Sequence, residues 1–141
     1  MKIKTDRLVK DVLIDYYGLE GVDYKFDVVP VAKPRMTQQD KWKKRPCVMK
    51  YWDFKEEMLC LAQQMKFTLP DQFLIVYYIP LFASYSKKRR EKLRGKPHKA
   101  KPDIDNLNKA VLDAFMIEDA SVWSHWSRKY WADDPSIVIT V

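Results

Sequence analysis

The stretch KPDIDNLNKAVLDAF, residues 101–115, decides how the rest of the chain is read. Ile104, Leu107, Val111, Ala114 and Phe115 recur at the spacing of one helical face, so an amphipathic helix is predicted there, entered through Pro102. Asp103 and Asp105 stand at its mouth, against the most basic segment of the chain. One account is structural. Asp is among the best N-cap residues, which suits Asp103. Asp105, Lys109 and Asp113 lie four residues apart and can pair along one face, each pair contributing only ~0.3–0.5 kcal/mol. The other account is chemical: carboxylates beside a polycationic segment can hold a cation that must meet a phosphate.

Upstream, Leu8, Val9, Val12, Leu13 and Tyr16 predict a helix over 5–17, capped by Thr5 or Asp6 and stopped by Gly18. Residues 22–32 read as a strand, with Pro30 marking an edge or bulge. YWDFKEEMLCLAQQMKF, residues 51–67, reads as an amphipathic helix with Trp52 or Phe54, Met58, Leu61 and Met65 inward. QFLIVYYIPLF, residues 72–82, is too apolar to alternate and predicts a central strand. Ser86 caps a short basic helix that Gly95 ends. Two strands, 121–131 and 136–141, are expected after the 101–115 helix, joined by ADDP as a hairpin turn. The order α, β, α, β, α, α, β, β implies an α+β domain: a single mixed β-sheet packed with helices, spanning 1–141 with residues 1–20 as an N-terminal helical extension.

The 141 residues carry 26 Lys and Arg against 19 Asp and Glu, a formal charge of +7. Lys87–Lys101 alone sums to +8 and Lys33–Lys50 to +6, so the remainder is −7. An acidic body with two basic segments fits a polyanion partner better than a uniformly basic surface does. Neither a secretory h-region nor a membrane-length apolar run is present, so a soluble, cytoplasmic protein without a membrane partner is expected. Cys47 and Cys60 form no CxxC pair, and no matching histidines complete a zinc pattern. Both are expected as reduced thiols, Cys60 in a helix and Cys47 in a loop. His98 and His125 have no spaced partner, and core packing or solvation is their default.

Past the 101–115 helix comes a second acidic pair, Glu118 and Asp119. The helix is short enough for carboxylates at its two ends to meet around one ion. Mg²⁺ takes oxygen ligands and keeps several waters, so two or three carboxylates suffice. Such ions activate water and hold charge on a scissile phosphate, and Lys109, one turn along, can orient the water or share that charge. Carboxylates gathered without a cation would repel one another.

The spacing D-x-D-N-x-x-K, entered through Lys-Pro, resembles the core motif of RusA-type endodeoxyribonucleases, the Holliday-junction resolvases common in prophages. PVAKPRMTQQDKWKKRP is similar to the basic N-terminal region of phage members. The resemblance covers most of residues 24–141. It implies a Mg²⁺-dependent homodimer, with Mn²⁺ as a substitute ion and no organic cofactor. Such an enzyme nicks two opposing strands of a four-way junction in DNA recombination and repair. Asp103 and Asp105 match the two motif aspartates and Lys109 the catalytic lysine. Asp119 matches the later metal-binding aspartate, with Glu118 as its neighbour and substitute. The loop FMIEDAS is shorter than the family's usual one and lacks its glycine-containing turn.

Backbone contacts from the first basic segment would come from Lys33, Arg35, Lys43, Lys44 and Arg45. In the second, Lys87, Lys88, Arg89, Arg90 and Arg94 precede Lys96, Lys99 and Lys101. Contacts of this kind position a phosphate backbone without reading bases. Trp42 and Tyr85 are candidates to stack on an unpaired base, with core or surface packing as the plainer alternative. Trp123, Trp126 and Trp131 do not share one strand face; sheet packing is the first expectation and a dimer interface the second. Two rival functions remain open: a DNA- or protein-binding module of the same fold with weakened catalysis, and a regulatory protein acting through its N-terminal helix.

Overall fold

The computed structural model describes residues 2–35 and 45–141, with side chains of the first helix described from Lys10 onward. Among the described residues, four α-helices and four strands follow the expected order. They are α1 (Lys2–Tyr17), β1 (Asp23–Phe26), α2 (Pro46–Met65), β2 (Gln72–Pro80), α3 (Lys87–Leu93), α4 (Ile104–Ala114), β3 (Ser124–Ala132) and β4 (Ser136–Thr140). The strands form one mixed sheet in the order β1-β4-β2-β3. The fold is α+β, with helices packed on an open four-stranded sheet.

β2 is central. It pairs in parallel with β3, Gln72 opposite Ser124 through Pro80 opposite Ala132, and antiparallel with β4. Phe73, Ile75, Tyr77 and Ile79 point to one face of the sheet, joined by Ile137 and Ile139 from β4 and Phe26 from β1. α2 and α4 cover that face with Tyr51, Phe54, Met58, Leu107, Ala110 and Val111. Leu107 is fully buried. It anchors α4, and its truncation to Ala is worth roughly 2–5 kcal/mol.

The expected β3–β4 hairpin does not form, because β2 lies between those strands. A parallel partner needs a crossover, and α3 with α4 supplies it, seating β3 beside β2. β4 takes the inner seat on the other side of β2, where Ile137 and Ile139 are fully buried. The charged, half-exposed SHWSRKYWA of β3 stays at the edge. β1 is also an edge strand, but it ends at Phe26 rather than running to 32. Val28 N donates to the Phe26 carbonyl at 2.9 Å, which turns the chain out of the sheet.

α2 starts at Pro46, five residues earlier than expected, with Pro in its first turn. Cys47 therefore lies in a helix, not a loop. The inward stripe is Tyr51, Phe54, Met58 and Ala62, while Trp52 is exposed. α2 and α4 end alike. Lys66 (φ 55°) and Met116 (φ 56°) both adopt the left-handed conformation past the helix. Phe67 N and Ile117 N then donate back to the Ala62 and Leu112 carbonyls. Met116 thus takes the backbone position that a glycine turn would take, which explains how the short FMIEDAS loop closes.

α1 is tied to the sheet by Lys10, whose ammonium lies 2.7 Å from Asp23, and by Gly21 and Val22 N–H groups donating to the Val141 carbonyl. Among the described residues no helix is long and apolar enough to cross a membrane.

Candidate active site

α4 is held against the sheet at a defined rotation. The buried Tyr77 hydroxyl donates to Asn108 Oδ1 at 2.6 Å, and Asn108 Nδ2 donates to Ser127 Oγ on β3 at 3.2 Å. Burial pushes the Tyr77 phenol well above its ordinary pKa, so it remains a donor. Leu107, Ala110, Val111, Leu112 and Ala114 are buried. Asp105 and Lys109 are left exposed on the other side.

The chain leaving β1 crosses α4 at this open side. Lys33 N donates to the Asn106 carbonyl at 2.9 Å, and Lys33 Nζ lies 2.8 Å from Asp113. The result is a cleft of about 490 Å³ between the two segments, lined by Lys33, Pro34 and Arg35 on one wall and Asn106, Lys109 and Asp113 on the other, with Asp119 beyond. A second hollow of about 540 Å³ shares Asp113 and Asp119 and is lined further by Lys55, Met116, Ile117 and Glu118. Of the second acidic pair, then, Asp119 lines both hollows and Glu118 only the second of them. A larger groove of about 640 Å³ lies elsewhere, between the exit of β1 and α2, and is lined largely by apolar side chains such as Val28, Pro30 and Phe54.

The aspartates of α4 divide into two kinds. Asp113 is engaged. It accepts a hydrogen bond from the buried Tyr51 hydroxyl as well as the ion pair from Lys33. Partial burial pushes its carboxyl up, but the hydrogen bonds from Lys33 and Tyr51 and the charges of Lys33 and Lys55 outweigh that and hold it below the usual carboxylate range. Tyr51 is driven the other way, by burial first and by Asp113 second. The i,i+4 pairing of Asp113 with Lys109 expected from spacing is not made; Lys33 replaces Lys109. Asp103 is different. It occupies the N-cap position with extended φ and ψ, yet its side chain makes no capping hydrogen bond. Neither Asp103 nor Asp105 lines the 490 Å³ cleft; both stand at the N-terminal end of the same helix. Asp119 begins a 3-10 turn, Asp119–Ser121, whose N-cap residue Glu118 makes no side-chain capping hydrogen bond.

All these donors are carboxylate oxygens, which suits a hard cation that retains water. Among the described residues, however, no three His, Cys, Asp or Glu side chains are gathered at metal-holding separation. The donors match the ion in kind and are not assembled into a cage.

The basic residues sort similarly. Arg35 is exposed on the cleft wall, and its carbonyl accepts from Arg45 Nη2 at 2.9 Å. Lys43, Lys44 and Trp42 lie outside the described residues. In α3, Ser86 caps as expected, accepting from Arg89 N. Arg89 stacks over Tyr85 at 3.8 Å, Arg90 donates to the Phe82 carbonyl, and Arg94 forks onto Asp133. Lys87, Lys88, Lys92, Lys96, Lys99 and Lys101 are exposed. Tyr85 packs with Phe82 on Trp131. Trp131 is buried, Trp126 is stacked under Arg128 on the opposite sheet face, and Trp123 is exposed.

Two participants, Tyr51 and Lys129, escaped the sequence, and Lys33, expected as a DNA contact, is instead paired with Asp113. Tyr51 and Lys33 reach Asp113 from distant positions. Lys129, on β3, donates to the carbonyls of Ala100 and Pro102, just before Asp103. Burial lowers its pKa, and the Asp103 charge opposes that. Its signal was parity: Ser127, Lys129 and Trp131 share the core-facing side of β3, an unusual place for a lysine.

The sequence model of the family Endodeoxyribonuclease RusA matches residues 26–141. The chain belongs to the RusA endodeoxyribonuclease family. The match takes in β2, β3, β4 and all of α2, α3 and α4, and with them every residue of both clefts; α1 lies outside it. No curated protein matches the sequence significantly.

Proposed function

We propose that this RusA family member is a Mg²⁺-dependent endodeoxyribonuclease that resolves four-way DNA junctions by paired, symmetric nicks. The observation that carries it is the placement of Lys109 and Asp119 across one open cleft, with Asp103, unused as a cap, and Asp105 at the head of the same helix. Asp103, Asp105 and Asp119 are the residues that would hold the ion, with Glu118 as a neighbour. A bound magnesium ion supplies Lewis acidity: it lowers the pKa of a water and takes up charge on the scissile phosphate. The protein's own part is positional. The Lys109 ammonium is free to donate to a phosphate oxygen or to the attacking water. Arg35 on the facing wall and the exposed lysines from Lys87 to Lys101 can grip the flanking backbone. Two opposing cuts call for two sites related by a two-fold, hence a homodimer.

That no three acidic side chains gather among the described residues favours a second reading, a module that holds branched DNA without cutting it. One experiment separates the two. A labelled immobile four-way junction is incubated with the protein and Mg²⁺, and the products are sized on a denaturing gel. Symmetric nicks with religatable ends are expected. Asp105→Asn and Asp119→Asn should each cut the rate at least 100-fold while leaving junction binding intact. Binding without nicks in Mg²⁺ or Mn²⁺ would establish the module instead.

A further inference from the structure

The loop that delivers Asp103 is bound to β3 in two different ways. Its first half is held by backbone. Gly95 N donates to the Trp131 carbonyl, Trp131 N to the Lys96 carbonyl, and His98 N to the Lys129 carbonyl, all at 2.9–3.0 Å. His98 itself is buried against the Trp131 ring, 4.2 Å between centroids. Its second half has only a side chain. Lys129 Nζ donates to the Ala100 carbonyl at 2.7 Å and to the Pro102 carbonyl at 2.6 Å. Those carbonyls bracket Lys101, and the second belongs to the residue joined to Asp103. Lys129 stands opposite Tyr77 in the β2–β3 register, on the sheet face from which Tyr77 reaches α4. An ammonium committed to two carbonyls in a half-buried place is poorly available to a phosphate or to a reacting water.

We infer that Lys129 is a positioning residue for the acidic end of α4: by fixing the Ala100–Pro102 backbone it sets where Asp103 and Asp105 enter the site. The inference rests on the nuclease reading for its effect on activity, but the clamp itself does not. A charge-assisted hydrogen bond to each carbonyl is strong enough to order three residues that, among the described residues, make no other hydrogen bond to the sheet.

The test uses the full chain and two variants. Lys129→Met keeps the stem and removes the donor. Lys129→Cys, alkylated with bromoethylamine, restores an ammonium at the same reach; the parent protein treated identically controls for Cys47 and Cys60, which are exposed. Three quantities are read: trypsin cleavage after Lys99 in metal-free protein, junction binding in EDTA, and single-turnover nicking across a Mg²⁺ titration. For Lys129→Met the expected results are cleavage after Lys99 at least fivefold faster and binding within threefold of the parent. Nicking should be at least tenfold slower, with a severalfold higher half-saturating Mg²⁺. The alkylated Cys variant should recover most of each loss. An unchanged Lys99 cleavage rate overturns the clamp. Unchanged nicking at unchanged Mg²⁺ requirement overturns the positioning role, and a loss of binding equal to the loss of nicking makes Lys129 a DNA contact instead. If the parent cuts no junction, the nuclease reading fails, and the clamp is still decided by the proteolysis rate and its recovery in the alkylated variant.

Discussion

Asp113 lies on the cleft wall between Lys109 and Asp119, yet its contacts mark it as a strut. Replacing it with Ala removes two interactions. Tyr51 is only 2% exposed and donates to Asp113. A hydrogen bond to a charged group contributes roughly 1.5–3 kcal/mol, and a buried hydroxyl stripped of its acceptor loses most of that. The Lys33–Asp113 pair has side chains 36% and 30% exposed, so solvent screens it to roughly 0.5–1 kcal/mol. The two share one carboxylate and do not simply add. The expected loss is about 2–3 kcal/mol, or roughly 6–12 °C in melting temperature for a domain of this size. Asp113→Asn keeps an acceptor for Tyr51 and should lose about half as much.

The pH dependence fixes the sign. The Asp113 carboxyl is held below its ordinary value, so its contribution is present above the unfolded carboxylate pKa, about 4, and disappears as pH falls through the lower folded value. Thermal unfolding followed by circular dichroism at pH 7, 5, 4 and 3 should therefore show the gap between parent and Asp113→Asn full at pH 7 and closing towards pH 3. Nicking by Asp113→Asn, measured well below its melting point, should fall less than tenfold. A variant with unchanged melting temperature at pH 7 and abolished cleavage would refute the reasoning and make Asp113 a ligand.

Met116→Gly relieves a left-handed non-glycine residue at a cost in unfolded-chain entropy, so a net gain of roughly 0.5–1 kcal/mol is expected in urea unfolding; a lower midpoint would count against it. Leu107→Ala should cost roughly 2–5 kcal/mol in the same assay, since the residue is fully buried between α4 and the sheet. In junction binding, Lys88→Ala, Lys92→Ala and Lys99→Ala should each flatten the log–log salt dependence by about 0.9 if that lysine meets a phosphate. Arg94→Ala should flatten it less, because Asp133 already neutralises Arg94. Equal effects of all four would place Arg94 on the DNA as well.

Much of the framework was legible because it depends on local pattern. The 3.6-residue stripe of α4, the apolar run of β2 and the Ser86 cap each carry their own signal within a dozen residues. The hairpin misreading shows where that stops. ADDP between two strand-like segments satisfies every local rule for a turn, but strand neighbours are chosen by burial. SIVIT, with Ile137, Val138 and Ile139 at its centre, takes the inner seat between β1 and β2, while charged SHWSRKYWA is left on the edge. The end of β1 escaped for a related reason. VVPVA carries strand propensity, but residues 27–35 are drawn off the sheet to lay Lys33 across α4.

The same limit governs the site. Asp105 and Asp113 sit two turns apart on one helix, in equivalent relation to Lys109, and helical spacing alone does not distinguish them; only the motif resemblance singles out Asp105. What separates them arrives from far away: Lys33, 80 positions upstream, and Tyr51, 62 positions upstream, both converge on Asp113. A carboxylate that has bound a lysine and a phenol has already compensated its charge, and a metal ion would have to displace both partners to use it. Asp103 has no capping bond to give up, and among the described residues none forms an ion pair with Asp105. A cation approaching α4 would therefore meet least competition at the head of the helix, where the motif begins, and most at Asp113. On the proposed reading, the roles of three chemically identical side chains are set by tertiary contacts: Lys33 and Tyr51 bind the one aspartate that such an ion would not need.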